Sequence, residues 1–309
     1  MNSPSTDTYP SSWWRRFAVR GVFWRQYLDF GVTNVPFYLL PITIFFWTVF
    51  FFFVARPARR AVLSNLRVIF PASPRLTNYF RAWLTFYNFA WTISDAARFK
   101  VAGTEFVYKI EGEAFLEELA ATPGAILLTA HMGNYDLGAA IFARRYAREI
   151  RMVRVPEKHA ETAQHLDESL ARTGGGAVKV AYNLSSATLP LELLNALRAG
   201  EIVSIQGDRP VPHASQRAAR LFGEDVQLPD GPFMLALLAE APIYPVFVVR
   251  TSYHHYKIIA REPIRLRRDE RDRDVIVMAA MQEWTRTLEM VIARYWSQWF
   301  SFVPIFSRP

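Results

Sequence analysis

Apolar positions along the 309 residues fall into patterns that succeed one another from N- to C-terminus. Residues 35–55, VPFYLLPITIFFWTVFFFFVA, carry no charge over 21 positions, the length a helix needs to cross about 30 Å of hydrocarbon. Arg56, Arg59 and Arg60 close the run abruptly. With no small-residue cleavage site behind it, the run predicts a retained transmembrane or membrane-embedded helix over 35–56 rather than a signal peptide. Pro36 and Pro41 bend or shorten its first turns, so a re-entrant helix stays open beside a full span. Upstream, residues 1–34 include SSWWRRFAVRGVFWRQYLDF. Arginines mixed with Trp and Phe in this way predict an amphipathic segment in the headgroup layer.

Beyond the uncharged run, apolar residues recur at helical intervals to about residue 100, with Pro71 and Pro74 separating two helices. Then the period changes. Strands are predicted over 124–130, 150–155, 177–182 and 201–206, alternating with helices over 136–147, 157–172 and 189–200. A loop from Asp208 to Asp230 leads to a helix over 231–241, a long apolar strand IYPVFVVR, a hairpin to YKIIARE and a helix from Asp274 to Trp296. Strands alternating with helices predict an α/β fold with a largely parallel central sheet covered on both faces. The organisation expected is a membrane-proximal segment (1–34), a membrane helix (35–56) and one catalytic domain (57–309).

Composition narrows the chemistry. Thirty-six basic against 28 acidic side chains leave a formal charge of +8, which favours anionic partners such as lipid headgroups or cofactor phosphates. Basic residues cluster near the membrane run rather than along an aromatic-bearing platform, so no nucleic-acid partner is expected. The absence of cysteine excludes disulfides, thiolate metal sites and a cysteine nucleophile. His159 and His165 lie six apart, not the four that puts two ligands on one helix face, and no metal site is expected. The glycine run 174–176 lacks a downstream G-K-[ST] and reads as a helix stop.

His131 is the only histidine with a carboxylate five positions on, in TAHMGNYD. Spacing alone leaves two readings, a catalytic base or a satisfied histidine at a strand end. In favour of the first, an apolar strand delivers His131 to its end, Gly133 and Asn134 permit a tight turn, and Asp136 lies where the next helix begins. A carboxylate on one ring nitrogen orients the imidazole so that the other can take a proton. No serine has a G-x-S-x-G setting, so the proton would come from a substrate hydroxyl or amine. His131 and Asp208 each follow a predicted strand, and in such sheets reactive groups gather at the strands' carboxyl ends, so the two could share one site. Arg209, beside Asp208, suits a phosphate held by a guanidinium fork; Arg154, ending IRMVRV, is a candidate of the same kind, and Asn134 is placed with the substrate.

HMGNYD resembles the H-x4-D/E motif of the lysophospholipid acyltransferase superfamily, and specifically of the late acyltransferases of lipid A biosynthesis. RRAVLSNLRVIFP resembles the block after their membrane helix, MVRVPEKHAE their segment with an arginine before a proline, and SIQGDRP their second acidic-arginine block. LFGEDVQLPDGPFMLALLAEAPIYPVFVVR is similar to their F-G block, G-P helix and P-V strand, and WSQWF to the Q-W near their C-terminus. Together the blocks cover about residues 15–300 in order. The resemblance implies attack by an acceptor hydroxyl, deprotonated by the histidine, on the thioester of acyl carrier protein or coenzyme A at the inner leaflet, with no cofactor beyond that co-substrate. Three features depart from the lipid A pattern: Asp136 in place of glutamate, Tyr135 in place of tryptophan, and GDRP, which matches their second block only approximately. They leave the reaction intact and the acceptor open.

The expectation is therefore an O-acyltransferase adding a fatty acyl chain to a membrane lipid or glycolipid, on the cytoplasmic side of the inner membrane. His131 is the base, Asp136 orients it, and Asp208, Arg209, Arg154 and Asn134 bind substrate. N-acylation, a hydrolase on the same scaffold and a silent lipid-binding protein remain as alternatives.

Overall fold

The computed structural model describes residues 29, 31–32, 34–36, 38–154, 177–182, 188–211, 214–267 and 272–306. Most of the amphipathic segment, the helix expected over 157–172 with His159 and His165, and the glycine run 174–176 lie outside the described residues.

Helix α1 covers Leu40–Val54, shorter than the uncharged run. Pro41 sits in its first turn, where the missing N–H costs nothing. The helix ends at Ala55 because Pro57, in the first turn of α2 (Arg56–Ile69), has no N–H with which to continue the ladder. The freed carbonyls of Phe52 and Phe53 accept the Arg59 guanidinium instead. Consequently the chain bends by 91° between α1 and α2. No single described helix is long and apolar enough to cross a membrane; α1 and α2 meet that test only as a pair across the bend. The continuous helix expected over 35–56 is thus replaced by 15 residues and a sharp turn.

Leu40, Ile44, Thr48 and Phe52, every fourth residue of α1, are buried; Leu40 and Ile44 pack with Trp91, and Phe52 with Phe86, of α3 (Arg75–Ala102). Helix α2 buries Ala61, Val62, Leu63 and Leu66 and ties down the C-terminal tail through Asn65, which accepts from Ile305 N (2.9 Å) and donates to Val303 O (2.9 Å).

The central sheet has seven strands: β1 (Val107–Glu111), β2 (Ala125–Thr129), β3 (Ile150–Arg154), β4 (Val178–Tyr182), β5 (Ile202–Gln206), and two later ones, Ile243–Ser252 and His255–Ala260, which are β8 and β9. Their order is β1-β9-β8-β2-β5-β3-β4, and every neighbouring pair is parallel except the β8–β9 hairpin. Alternate residues serve opposite faces. Ala125 and Leu127 pack with α4 (Glu113–Ala121) and α5 (Tyr135–Tyr146), whereas Ile126 and Leu128 pack with α6 (Leu189–Arg198), α7 (Gly231–Ala239) and α8 (Arg273–Tyr295). The α/β expectation with a mostly parallel, doubly covered sheet is met.

Two segments differ from the sequence pattern. β1 and α4 occupy 107–121, where no element is predicted. The expected loop from Asp208 to Asp230 contains a hairpin, β6 (Gln216–Leu221) and β7 (Glu224–Pro229), turning at Phe222 and Gly223, both at positive φ. Alanine and arginine fill β6, so its alternation of buried Ala219 and Leu221 with exposed Arg220 lacks the β-branched signature of a strand.

Candidate active site

β2, β5 and β3 are adjacent and parallel, so their carboxyl ends open on one side of the sheet. His131 lies two residues beyond β2, Asp208 two beyond β5, and Arg154 ends β3. Thr129 pairs with Gln206 in the ladder, so continuing that register sets position 131 opposite position 208. His131 Nδ1 stands 2.7 Å from Asp208 Oδ1. Asp208 is fully buried, and its other oxygen accepts the Trp299 indole N–H at 2.9 Å. Burial alone would raise its carboxyl, but the facing His131 ring, the nearby Arg209 and the indole donor outweigh it and hold it below the ordinary aspartate value.

The orienting contact expected from Asp136 is therefore made by Asp208. Asn134 caps α5 by accepting from Leu137 N (3.2 Å), so the helix starts at Tyr135 and Asp136 falls in its first turn. There Asp136 forms an ion pair with Arg154, whose side chain is 12% exposed. A guanidinium so deeply placed needs a counter-charge, and Asp136, with Tyr135 beside it, offsets burial and raises the arginine's hold on its proton. Asn134, expected near substrate, is itself buried and serves as the cap.

The turn between His131 and α5 depends on Gly133, whose φ is +52°. A Cβ there would lie 1.8 Å from the Val248 carbonyl oxygen. Asn134 N donates to that same oxygen (3.2 Å), which ties the turn to β8. From the other side the C-terminal tail closes in: Gly133 N donates to Gln298 O (3.0 Å) and Phe300 N to His131 O (2.7 Å). Gln298 also brackets Arg250 of β8, accepting from its N–H and donating to its carbonyl, both at 2.7 Å. Gln298 and Trp299 were not among the expected site residues, although the WSQWF block containing them is part of the resemblance.

Nδ1 being engaged, Nε2 is the nitrogen of His131 left to take a proton. The ring is 15% exposed and meets Tyr135 edge-on, with centroids 6.0 Å apart. Burial, then the Asp136 carboxylate, push the Tyr135 phenol up to about 12, so it stays neutral. Arg209 is half-buried and makes no ion pair among the described residues. In the first turn of α5, the backbone N–H groups of Tyr135 and Asp136 make no hydrogen bond among the described residues. Among those residues no group of three or more His, Asp or Glu side chains is placed to hold a metal ion. The arrangement is an imidazole held by a buried carboxylate, with two arginines and unbonded N–H donors, at the carboxyl end of a parallel sheet.

A family model for bacterial lipid A biosynthesis acyltransferases matches residues 27–308. The chain belongs to that family. As a lipid A biosynthesis acyltransferase it is an enzyme that acts on lipid, and the blocks quoted from its sequence acquire structural meaning. N-L-x-x-x-F-P supplies Asn65, which holds the tail; GDRP supplies the carboxylate on His131; Q-W supplies the brace beneath both. No curated protein sequence matches the chain significantly.

Proposed function

We propose that this acyltransferase moves a fatty acyl chain from the thioester of acyl carrier protein or coenzyme A to a hydroxyl of a membrane lipid or glycolipid. The observation that carries the reading is the His131–Asp208 pair, with Nε2 left open at the carboxyl ends of adjacent strands. Nε2 takes the acceptor's proton as the hydroxyl oxygen attacks the thioester carbonyl. The free N–H groups of Tyr135 and Asp136 suit the oxyanion of the tetrahedral intermediate. Collapse expels the thiolate, which regains its proton from the imidazolium, leaving an ester and a free thiol. Arg209 meets phosphate on the donor arm or the acceptor, and Arg154, held by Asp136 at the end of β3, supplies a second guanidinium.

The enzyme works at the membrane through α1 and the start of α3. Phe46 and Phe53 are 66% and 65% exposed, and Leu76 is 82% exposed, with Tyr79 and Phe80 close behind. Phe45 and Phe80 both pack on Trp83, so the two helices present one apolar surface. At about 22 Å, α1 is shorter than the roughly 30 Å hydrocarbon core, which suits insertion into a single leaflet with the arginines of α2 at the headgroups. The inner membrane's cytoplasmic face, where acyl thioesters are made, is the proposed location.

The test is product analysis by mass spectrometry with purified protein, an acyl thioester and a lysolipid or glycolipid acceptor. Acylated acceptor is expected from the unaltered chain and none from His131→Ala, whose fold and vesicle binding persist. Free fatty acid formed equally with and without acceptor would replace the transferase reading with a hydrolase.

A further inference from the structure

The C-terminal tail touches both halves of the site. Over three consecutive residues, Gln298 O accepts from Gly133 N, Trp299 Nε1 donates to Asp208 Oδ2, and Phe300 N donates to His131 O. Met132 and Trp299 face each other as an antiparallel bridge. Only the indole contact reaches a side chain of the pair; the others hold backbone. Trp299 is 4% exposed and Asp208 is fully buried, so no water competes for the Oδ2 lone pair on which the indole acts.

We infer that Trp299 is a positioning residue for acyl transfer, its indole N–H fixing the Asp208 carboxylate so that Oδ1 faces His131 Nδ1. Two constraints converge on one carboxylate. A carboxylate held by one oxygen alone can rotate about its Cβ–Cγ bond, and the ring it orients rotates with it. The indole removes that freedom and draws part of the negative charge to Oδ2. Trp284 steadies the same loop one residue earlier, donating to Gly207 O at 2.9 Å while it stacks on Phe247. That contact ends on backbone, so it fixes the loop and leaves the carboxylate to Trp299.

The inference rests on His131 being the base, and its test separates the two. Trp299→Phe keeps an aromatic ring and loses the donor. It is expected to lower kcat about tenfold, the worth of one hydrogen bond to a charged group, with KM for the donor thioester little changed. The acid limb of the kcat/KM profile should move to higher pH, because a carboxylate relieved of the indole concentrates charge on Oδ1 and favours the imidazolium. A merely structural tryptophan would reduce folded protein and leave that limb in place. Should Trp299→Phe fail to fold, single-site incorporation of 3-benzothienylalanine at 299 keeps the bicyclic shape and replaces N–H with sulfur. The limb unmoved in whichever variant folds would overturn the inference, even with His131→Ala inactive. Full activity of His131→Ala would overturn the underlying reading instead.

Discussion

His131 and Asp208, 77 positions apart in sequence, meet at 2.7 Å because the paired strands β2 and β5 each end two residues before them. Asp136, five positions from His131, turns instead to Arg154. Sequence proximity and strand register name different partners for one imidazole, and register wins.

Asp208→Asn is accordingly expected to cost more activity than Asp136→Asn. An amide in place of the buried carboxylate orients the wrong tautomer and leaves the imidazolium unstabilised, a loss of about 10²–10⁴ in kcat. Asp136→Asn leaves His131 its partner but strips a half-buried guanidinium of its counter-charge, so its main effect should be a stability loss of about 1–3 kcal/mol. Parallel kcat and thermal unfolding measurements on the two variants check this, and a larger kcat loss in Asp136→Asn would reverse the assignment.

Stability should depend on Asp208 in acid. Its folded carboxyl lies below the ordinary value of 3.8, so the folded state binds that proton less readily than the unfolded chain. The stabilisation is present above the ordinary value and is lost as pH falls from there through the lowered folded value. Unfolding midpoints measured from pH 6 downward should therefore drop more steeply below about pH 4 in the unaltered protein than in Asp208→Asn. Parallel curves would exclude the contribution.

Gly133→Ala should be severely damaging. A methyl group would lie 1.8 Å from the Val248 carbonyl oxygen, at a backbone angle that L-residues rarely adopt. The expected cost is at least ~2 kcal/mol, together with lost activity, since the turn carries His131. Denaturant unfolding and turnover measured on the same preparation provide the check; wild-type values in both would mean the turn relaxes freely.

The apolar surface of α1 and α3 predicts membrane behaviour. Phe46→Ser combined with Leu76→Ser, both at exposed positions, should lower partitioning onto phospholipid vesicles by about tenfold or more per residue without changing the unfolding midpoint. Flotation with vesicles of mixed zwitterionic and anionic lipid measures it, and unaltered binding would move the contact elsewhere on the chain.

Much of the fold was readable from local pattern. Strand positions such as 202–206 and helices such as 135–146 follow from runs of apolar residues and from glycine and proline punctuation, because burial on a sheet face or helix stripe imposes period 2 or 3.6 on neighbours in sequence. The β6 strand of the hairpin escaped because its buried residues are alanine and leucine set among arginines. The uncharged run was legible as apolar, but its break was not, since the proline that ends α1 lies beyond the uncharged residues, at position 57.

The sequence by itself determined the chemical inventory: one histidine carried to a strand end, carboxylates and arginines able to serve it, no thiol, and a long uncharged run. These are local properties of residue type and spacing. Only the tertiary structure decided which carboxylate holds the imidazole, that Trp299 holds the carboxylate, and that the apolar run turns through 91°. Strand order and register are non-local, set by which faces can be buried together, and nothing in the spacing of HMGNYD records that β5 lies beside β2.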